Sequence, residues 1–229
     1  MGELKVKERE IVVPGQELAK GMDFLPAGAA FREHESIIAS QVGLVSINGN
    51  VLKLIPLSGK YFPRVGDVVI GKVMDMSFNN WFVDIGYAYE AALSLRDVPE
   101  YVERSSDLSR YYNFDDIIIA KVTKVTKAMN IDLTMKEPGL SKLIGGRFVF
   151  ITPNKVPRVI GKSGSMVDMI KNSTGCRITV GQNGRIWVKG TDPREENLAA
   201  MAIMKIEKES HIDGLTDKIS KFLQENKVR

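Results

Sequence analysis

The stretch Val159-Ile160-Gly161-Lys162-Ser163-Gly164-Ser165-Met166 decides how the C-terminal third of this chain is read. Two glycines three positions apart remove Cβ atoms from a tight turn, so backbone amides and a helix N-terminus can approach an anion. Lys162 adds a charge inside the tetrapeptide, and Lys155 and Arg158 stand just upstream. Gly161-Lys162-Ser163 also matches the end of a nucleoside-triphosphate phosphate loop. That motif requires a glycine five positions before Gly161, where Val156 stands, next to Pro157. The triphosphate reading fails, which leaves a purely structural turn or a loop that meets phosphates.

The flanking pattern separates these two. Arg147 to Thr152 reads as a strand, Val156 to Ile160 leads into the glycine loop, and Ser165 to Thr174 is helical. Arg177–Val180 and Arg185–Val188 read as strands around Asn183-Gly184. Asp192 as N-cap and Pro193 at the first helical position open a helix with Leu198, Met201, Ala202 and Ile206 at helical spacing. A last helix after Gly214 carries Leu215, Ile219, Phe222 and Leu223. The order β-α-α-β-β-α with a glycine loop between its first helices is that of a type I KH module. Such a loop clamps about four nucleotides of single-stranded nucleic acid. Alternation in the hairpin turns Ile178, Val180, Ile186 and Val188 toward the helices, and Arg177, Thr179, Arg185, Trp187 and Lys189 outward.

Charge is distributed accordingly. The 229 residues carry 32 basic and 28 acidic side chains, a net charge of +4. By stretch, residues 1–64 are net +1, residues 65–137 net −4 and residues 138–229 net +7. Pro138 to Gly190 holds nine basic residues against one acidic, Asp168. That density is the footprint of a polyanion binder.

The middle stretch is strand-rich. Asp67–Met76, Trp81–Ile85, Tyr89–Leu95, Asp115–Thr126 and Ile131–Met135 read as five strands, with an irregular insertion from Pro99 to Tyr112. Five short strands in about 70 residues fit a small barrel of the OB type. Such barrels hold single strands through aromatic side chains and basic loops. Trp81, Tyr87 and Tyr89 are the candidate stacking groups, the alternative being that they pack the barrel or a protein interface, with Arg96, Lys121, Lys124 and Lys127 for phosphates. The three lysines share one face only if a bulge interrupts the period of two. Before Pro63, Val/Ile/Leu runs flank Asn48-Gly49, a two-residue hairpin signature, and mark a small all-β unit.

Other function classes lack material. One cysteine, Cys176, excludes an intramolecular disulfide and a multi-cysteine zinc site. With two histidines, His34 and His211, nothing reads as a catalytic or metal centre, and no cofactor is expected. Apolar runs fall well short of a membrane span, so a cytoplasmic location without membrane contact is expected.

An all-β unit, an OB barrel and a KH module in this order resemble the S1/KH-type RNA-binding cap subunits of the archaeal exosome, the ribosomal-RNA-processing protein four family. The residues that carry the resemblance are Ile11-Val12-Val13-Pro14-Gly15, Tyr61 through Gly71, Trp81 with Asp84-Ile85, and Val159 through Met166. The resemblance implies three domains: a ring-docking all-β domain (1–64), an S1-type barrel (65–137), and a KH domain with C-terminal helices (138–229). It further implies that three such chains sit on a hexameric ring of RNase PH-like subunits. There they bind single-stranded RNA, through Arg158, Gly161, Lys162, Ser163 and Gly164 here, and guide its 3′ end to the ring, which does the chemistry. A stand-alone S1/KH RNA binder or RNA chaperone is the alternative.

Overall fold

The computed structural model describes residues 2–57, 59–103, 107–210 and 214–226. The chain divides into two compact units, Met1–Gly59 and Lys60–Arg229.

In the first unit the strands are β1 (Glu3–Leu4), β2 (Ile11–Val12), β3 (Glu17–Lys20), β4 (Leu25–Gly28), β5 (Ala30–Glu33), β6 (Ser36–Ala39), β7 (Gly43–Asn48) and β8 (Val51–Pro56). They form two four-stranded sheets, ordered β1-β3-β6-β5 and β2-β7-β8-β4. Asn48 pairs with Val51 across the β7–β8 turn and Gly49 sits at φ 58°, as the hairpin signature requires. Val12, Leu18, Ile37, Val45, Leu52 and Leu54, from both sheets, form its core.

In the second unit, β9 (Val68–Met76), β10 (Asn80–Asp84), β11 (Ala91–Ser94), β12 (Ile117–Val125) and β13 (Ile131–Thr134) close a barrel in the order β9-β10-β11-β13-β12-β9. β11 and β13 run parallel and the other neighbours antiparallel, the connectivity of an OB fold. Inward side chains alternate along each strand, with Val73, Trp81, Val83, Leu93, Val122 and Leu133 all buried. Gly71 is required within β9, because a Cβ there would lie 2.3 Å from the Val83 side chain. A short β14 (Lys142–Leu143) pairs with the start of β12 and leads to the next module.

That module consists of β15 (Arg147–Phe150), α1 (Val156–Ile160), α2 (Ser165–Thr174), β16 (Arg177–Val180), β17 (Arg185–Lys189), α3 (Pro193–Lys208) and α4 (Leu215–Glu225). Its antiparallel sheet runs β15-β17-β16, so the β-α-α-β-β-α order is present with α4 added. The Asp192 side chain accepts from Arg194 N–H and caps α3. Ile178, Ile186, Val188, Leu198, Ala202 and Ile206 join the core beneath the helices. Met201 does not; at 38% exposed it lies on the outer side of α3. Leu215, Ile219 and Leu223 of α4 are buried, and Lys205 of α3 stands 4.5 Å over the Phe222 ring.

One expectation for the β16–β17 hairpin is corrected. Arg177 and Lys189 are exposed on the face opposite Ile186 and Val188, but the same face is covered at Trp187 and Arg185. Trp187 is 6% exposed and donates its Nε1–H to Gly145 O at 2.7 Å. Arg185 reaches into the barrel, donating to Asp84 O at 2.8 Å and pairing with the Asp84 carboxylate at 2.6 Å.

The turn of this hairpin completes the joint. β10 pairs with β9 only as far as Lys72, which leaves an open β9 edge at Val68 and Ile70. Gln182 N–H donates to Val68 O at 2.8 Å, and its side-chain oxygen accepts from Val68 N–H. Asn183, itself buried, donates through Nδ2 to Ile70 O (2.7 Å) and Ile85 O (2.8 Å), and accepts from Ile70 N–H at 3.2 Å. Two side chains thus take the place of a strand along a buried edge, where unpaired backbone groups would be costly. The barrel and the KH module are therefore held as one body.

Candidate nucleic-acid interface

The glycine loop has the geometry its composition calls for. α1 ends at Gly161 (φ 76°, ψ 177°), and a tight turn spans Lys162–Gly164, in which Ser163 (φ 53°) and Gly164 (φ 86°) are left-handed. At Gly161 a Cβ would fall 2.7 Å from Met166 N, so the first turn of α2 closes against bare backbone. No side chain caps α2; its first amide, Ser165 N–H, is turned back onto Lys162 O within the loop. Lys162, Ser163 and Arg158 are exposed, and among the described residues neither cation has an ion-pair partner. Asp168, the one carboxylate of this basic stretch, is paired with Lys171 at 3.3 Å. Arg158, Lys162 and Ser165 line a cleft of about 340 Å³ whose far wall is Gly214, Leu215 and Thr216, at the start of α4. That wall was not legible in the loop motif, because α4 reaches it only through tertiary packing.

On the barrel the structure sorts the candidates. Trp81 is corrected: it is fully buried, donates Nε1–H to Tyr112 O at 3.0 Å, and offers no face to a base. Burying such a side chain is worth roughly 4–6 kcal/mol of transfer free energy, so its role is the barrel core. Tyr87 and Tyr89 do come together, with ring centroids 6.0 Å apart. Phe62, 56% exposed, joins them edge-on to Tyr87 at 5.5 Å. Phe62 lies in an irregular lead-in segment with no periodic signal, and only folding brings it there. Phe78, 92% exposed in the β9–β10 turn, was also missed.

The basic candidates divide. Thr123 is extra to the β12–β13 ladder, since Val122 faces Leu133 and Lys124 faces Asp132. This bulge brings Lys121, opposite Thr134, onto the same face as Lys124. Lys121 is already held by Glu137 at 2.7 Å, whereas Lys124 and Lys127 are exposed. Arg96 follows the C-terminal end of β11, while Tyr87 and Tyr89 precede its N-terminal end, so the strand separates them. Arg96 instead lines a cleft of about 1130 Å³ with Asn79, Ser94, Tyr101 and Lys136.

At the joint, burial alone would raise the Asp84 carboxyl. The hydrogen bonds from Arg185 and from Gly86 N–H outweigh it and hold Asp84 below the usual carboxylate range. Among the described residues no group of three His, Cys, Asp or Glu side chains could hold a metal, and no helix is long and apolar enough to cross a membrane.

An OB-type barrel locked to a type I KH module with an open glycine loop defines the S1–KH class of nucleic-acid-binding proteins. The S1 domain of the RRP4 type matches residues 60–124, and the KH domain family matches residues 146–194. The exosome complex component Rrp4 of Thermococcus kodakarensis is 48% identical over 97% of this chain and 88% of its own length. The Rrp4 of Methanothermus fervidus is 44% identical, covering 96% of this chain and 97% of that protein. A crystal structure of an exosome complex RNA-binding protein superposes with a TM-score of 0.67 at 38% identity, over 73% of this chain and 97% of that one. The chain belongs to the Rrp4 family of exosome components.

Proposed function

We propose that this chain is a non-catalytic, cytoplasmic RNA-binding cap subunit of an archaeal exosome. It binds single-stranded substrate RNA and leads the 3′ end into a hexameric ring of RNase PH-like 3′→5′ phosphorolytic subunits, three copies serving one ring. The observation that carries the RNA-binding half is the Gly161–Gly164 loop, with Arg158 and Lys162 exposed beside the N-terminus of α2, which no side chain caps. Phosphates suit both these charges and the positive end of the α2 dipole. The barrel adds the Phe62–Tyr87–Tyr89 rings for stacking and Lys124 and Lys127 for the backbone, with Arg96 serving its own cleft. Because Gln182, Asn183 and Arg185 tie the barrel to the KH module, one strand can meet both modules together. In this reading residues 1–64 dock to the ring, 65–137 form the barrel domain and 138–229 the KH domain.

The test is reconstitution with the ring subunits of the same organism. The chain should co-purify with the ring and increase capture and degradation of a single-stranded RNA. Alone, with phosphate and a divalent metal, it should turn over no RNA. RNA binding without ring association would favour a stand-alone RNA binder, and turnover by the chain alone would make it an enzyme.

A further inference from the structure

The cleft beside the glycine loop has one wall that the KH order does not supply. The β-α-α-β-β-α order ends with α3, and α4 is added to it. Leu215, Ile219 and Leu223 of α4 enter the same core as Val159 of α1 and Met166 of α2, which fixes the start of α4 beside the loop. Arg158, Lys162 and Ser165 line about 340 Å³ from the loop side, and Thr216 lines it from α4. All four are exposed, and among the described residues none of these side chains has a hydrogen-bond or ion-pair partner. The floor between them is apolar and closed, since Met166 and Leu215 are each 5% exposed. Among the described residues no carboxylate lines the cleft, and Asp217, next in α4, stands outside it.

We infer that this cleft is a subsite for one ribonucleotide of the bound strand, an inference that rests on the RNA-binding reading of the glycine loop above. Arg158 and Lys162 hold its phosphate, and the Thr216 hydroxyl bonds its ribose 2′-OH. The volume lies at the small end of ligand pockets, which suits one nucleotide rather than several. Two cations with no carboxylate beside them select an anion. The rest of the cleft selects what the anion is attached to. The Ser165 and Thr216 hydroxyls each donate and accept, and so does a ribose 2′-OH. The apolar floor takes the carbon face of the sugar, which a free phosphate lacks. A loop that meets phosphates alone treats RNA and DNA alike, because both carry them. The 2′-OH separates the two, so α4 supplies a discrimination that the glycine loop cannot.

The experiment uses the full chain, a fluorescent single-stranded RNA and the DNA of the same sequence. Thr216→Val keeps the branched shape without the hydroxyl, and should weaken RNA binding about fivefold while leaving DNA binding unchanged. Thr216→Glu places a carboxylate in the cleft and should weaken both at least about tenfold. Thr216 is exposed, so neither variant should move the melting temperature. A single 2′-deoxy substitution walked along the RNA should weaken wild-type binding at a position where Thr216→Val shows no further loss. Wild-type RNA binding by either variant, an equal loss for RNA and DNA in Thr216→Val, or a 2′-deoxy walk that affects both proteins alike would overturn the assignment of the cleft alone. Unchanged RNA binding by Lys162→Asp with Ser163→Asp would overturn the glycine-loop reading, and this inference with it.

Discussion

Two turns of the KH module share one spacing, Gly161-Lys162-Ser163-Gly164 and Gly181-Gln182-Asn183-Gly184, and meet opposite fates. In the first, both central side chains are exposed and no side chain caps the following helix. In the second, both central side chains are spent on the open edge of β9, and Asn183 is 6% exposed. The difference lies in the central pair. An ammonium and a hydroxyl suit a solvated phosphate, whereas two carboxamides each offer donors and acceptors that can replace a missing strand. One turn is a surface for ligand and the other a joint.

Substitution of the last glycine of each turn should separate them most sharply. Gly184→Ala places a Cβ 2.2 Å from Ile151 O at φ 80°, and should cost about 3 kcal/mol or more in denaturant unfolding. Gly164→Ala, at φ 86° but with its nearest neighbour the Asp168 carboxylate at 3.4 Å, should cost only about 1–2 kcal/mol of backbone strain. Equal losses would erase the distinction between joint and loop. Asn183→Ala comes next. It strips Ile70 O and Ile85 O of their donor inside a buried joint and should cost about 3 kcal/mol. A loss below about 0.5 kcal/mol would mean that the joint is held elsewhere.

The loop should behave in the opposite way. Lys162→Asp with Ser163→Asp should leave unfolding free energy within about 0.5 kcal/mol. RNA affinity should fall at least about tenfold, with a salt dependence shallower by about 0.7 for each phosphate no longer neutralised. Unchanged affinity and salt slope, measured by filter binding or anisotropy, would assign the loop a structural role. The smallest effect belongs to Asp84. Its folded-state pKa lies below the ordinary value, so the stability it contributes is present above about pH 4 and is lost as the pH falls through the folded value. Asp84→Asn should therefore flatten the stability profile below about pH 4 and leave its shape at neutral pH unchanged. An identical acid limb in both proteins would remove Arg185–Asp84 from the joint's energetics.

Much of the fold was legible because local signals agreed. The span Ser165–Thr174, the Asp192 cap and the Asn48-Gly49 hairpin each rest on neighbours in sequence, and each stands as read. Spacing alone left open whether Lys121 and Lys124 share a face, and the bulge at Thr123 settles it for those two. What misled was burial. Alternation puts Trp187 and Arg185 on the correct face of their strand, but whether a second module covers that face is not a local property. Trp81 reads as a stacking group because an aromatic side chain looks alike in a core and at a binding surface. Only closure of the barrel over its indole separates the two.

The amino-acid sequence by itself determined the order of modules, the charge excess beside the glycine loop and the near absence of cysteine and histidine. These depend on composition, spacing and short-range periodicity. The tertiary structure alone decided which of the two Gly-x-x-Gly turns stays open, that Phe62 joins Tyr87 and Tyr89, and that Arg96 stands apart from them. Each depends on which backbone edge is left unpaired and which surface another element covers. Residues far apart in the chain settle those matters together, and no window of sequence contains them.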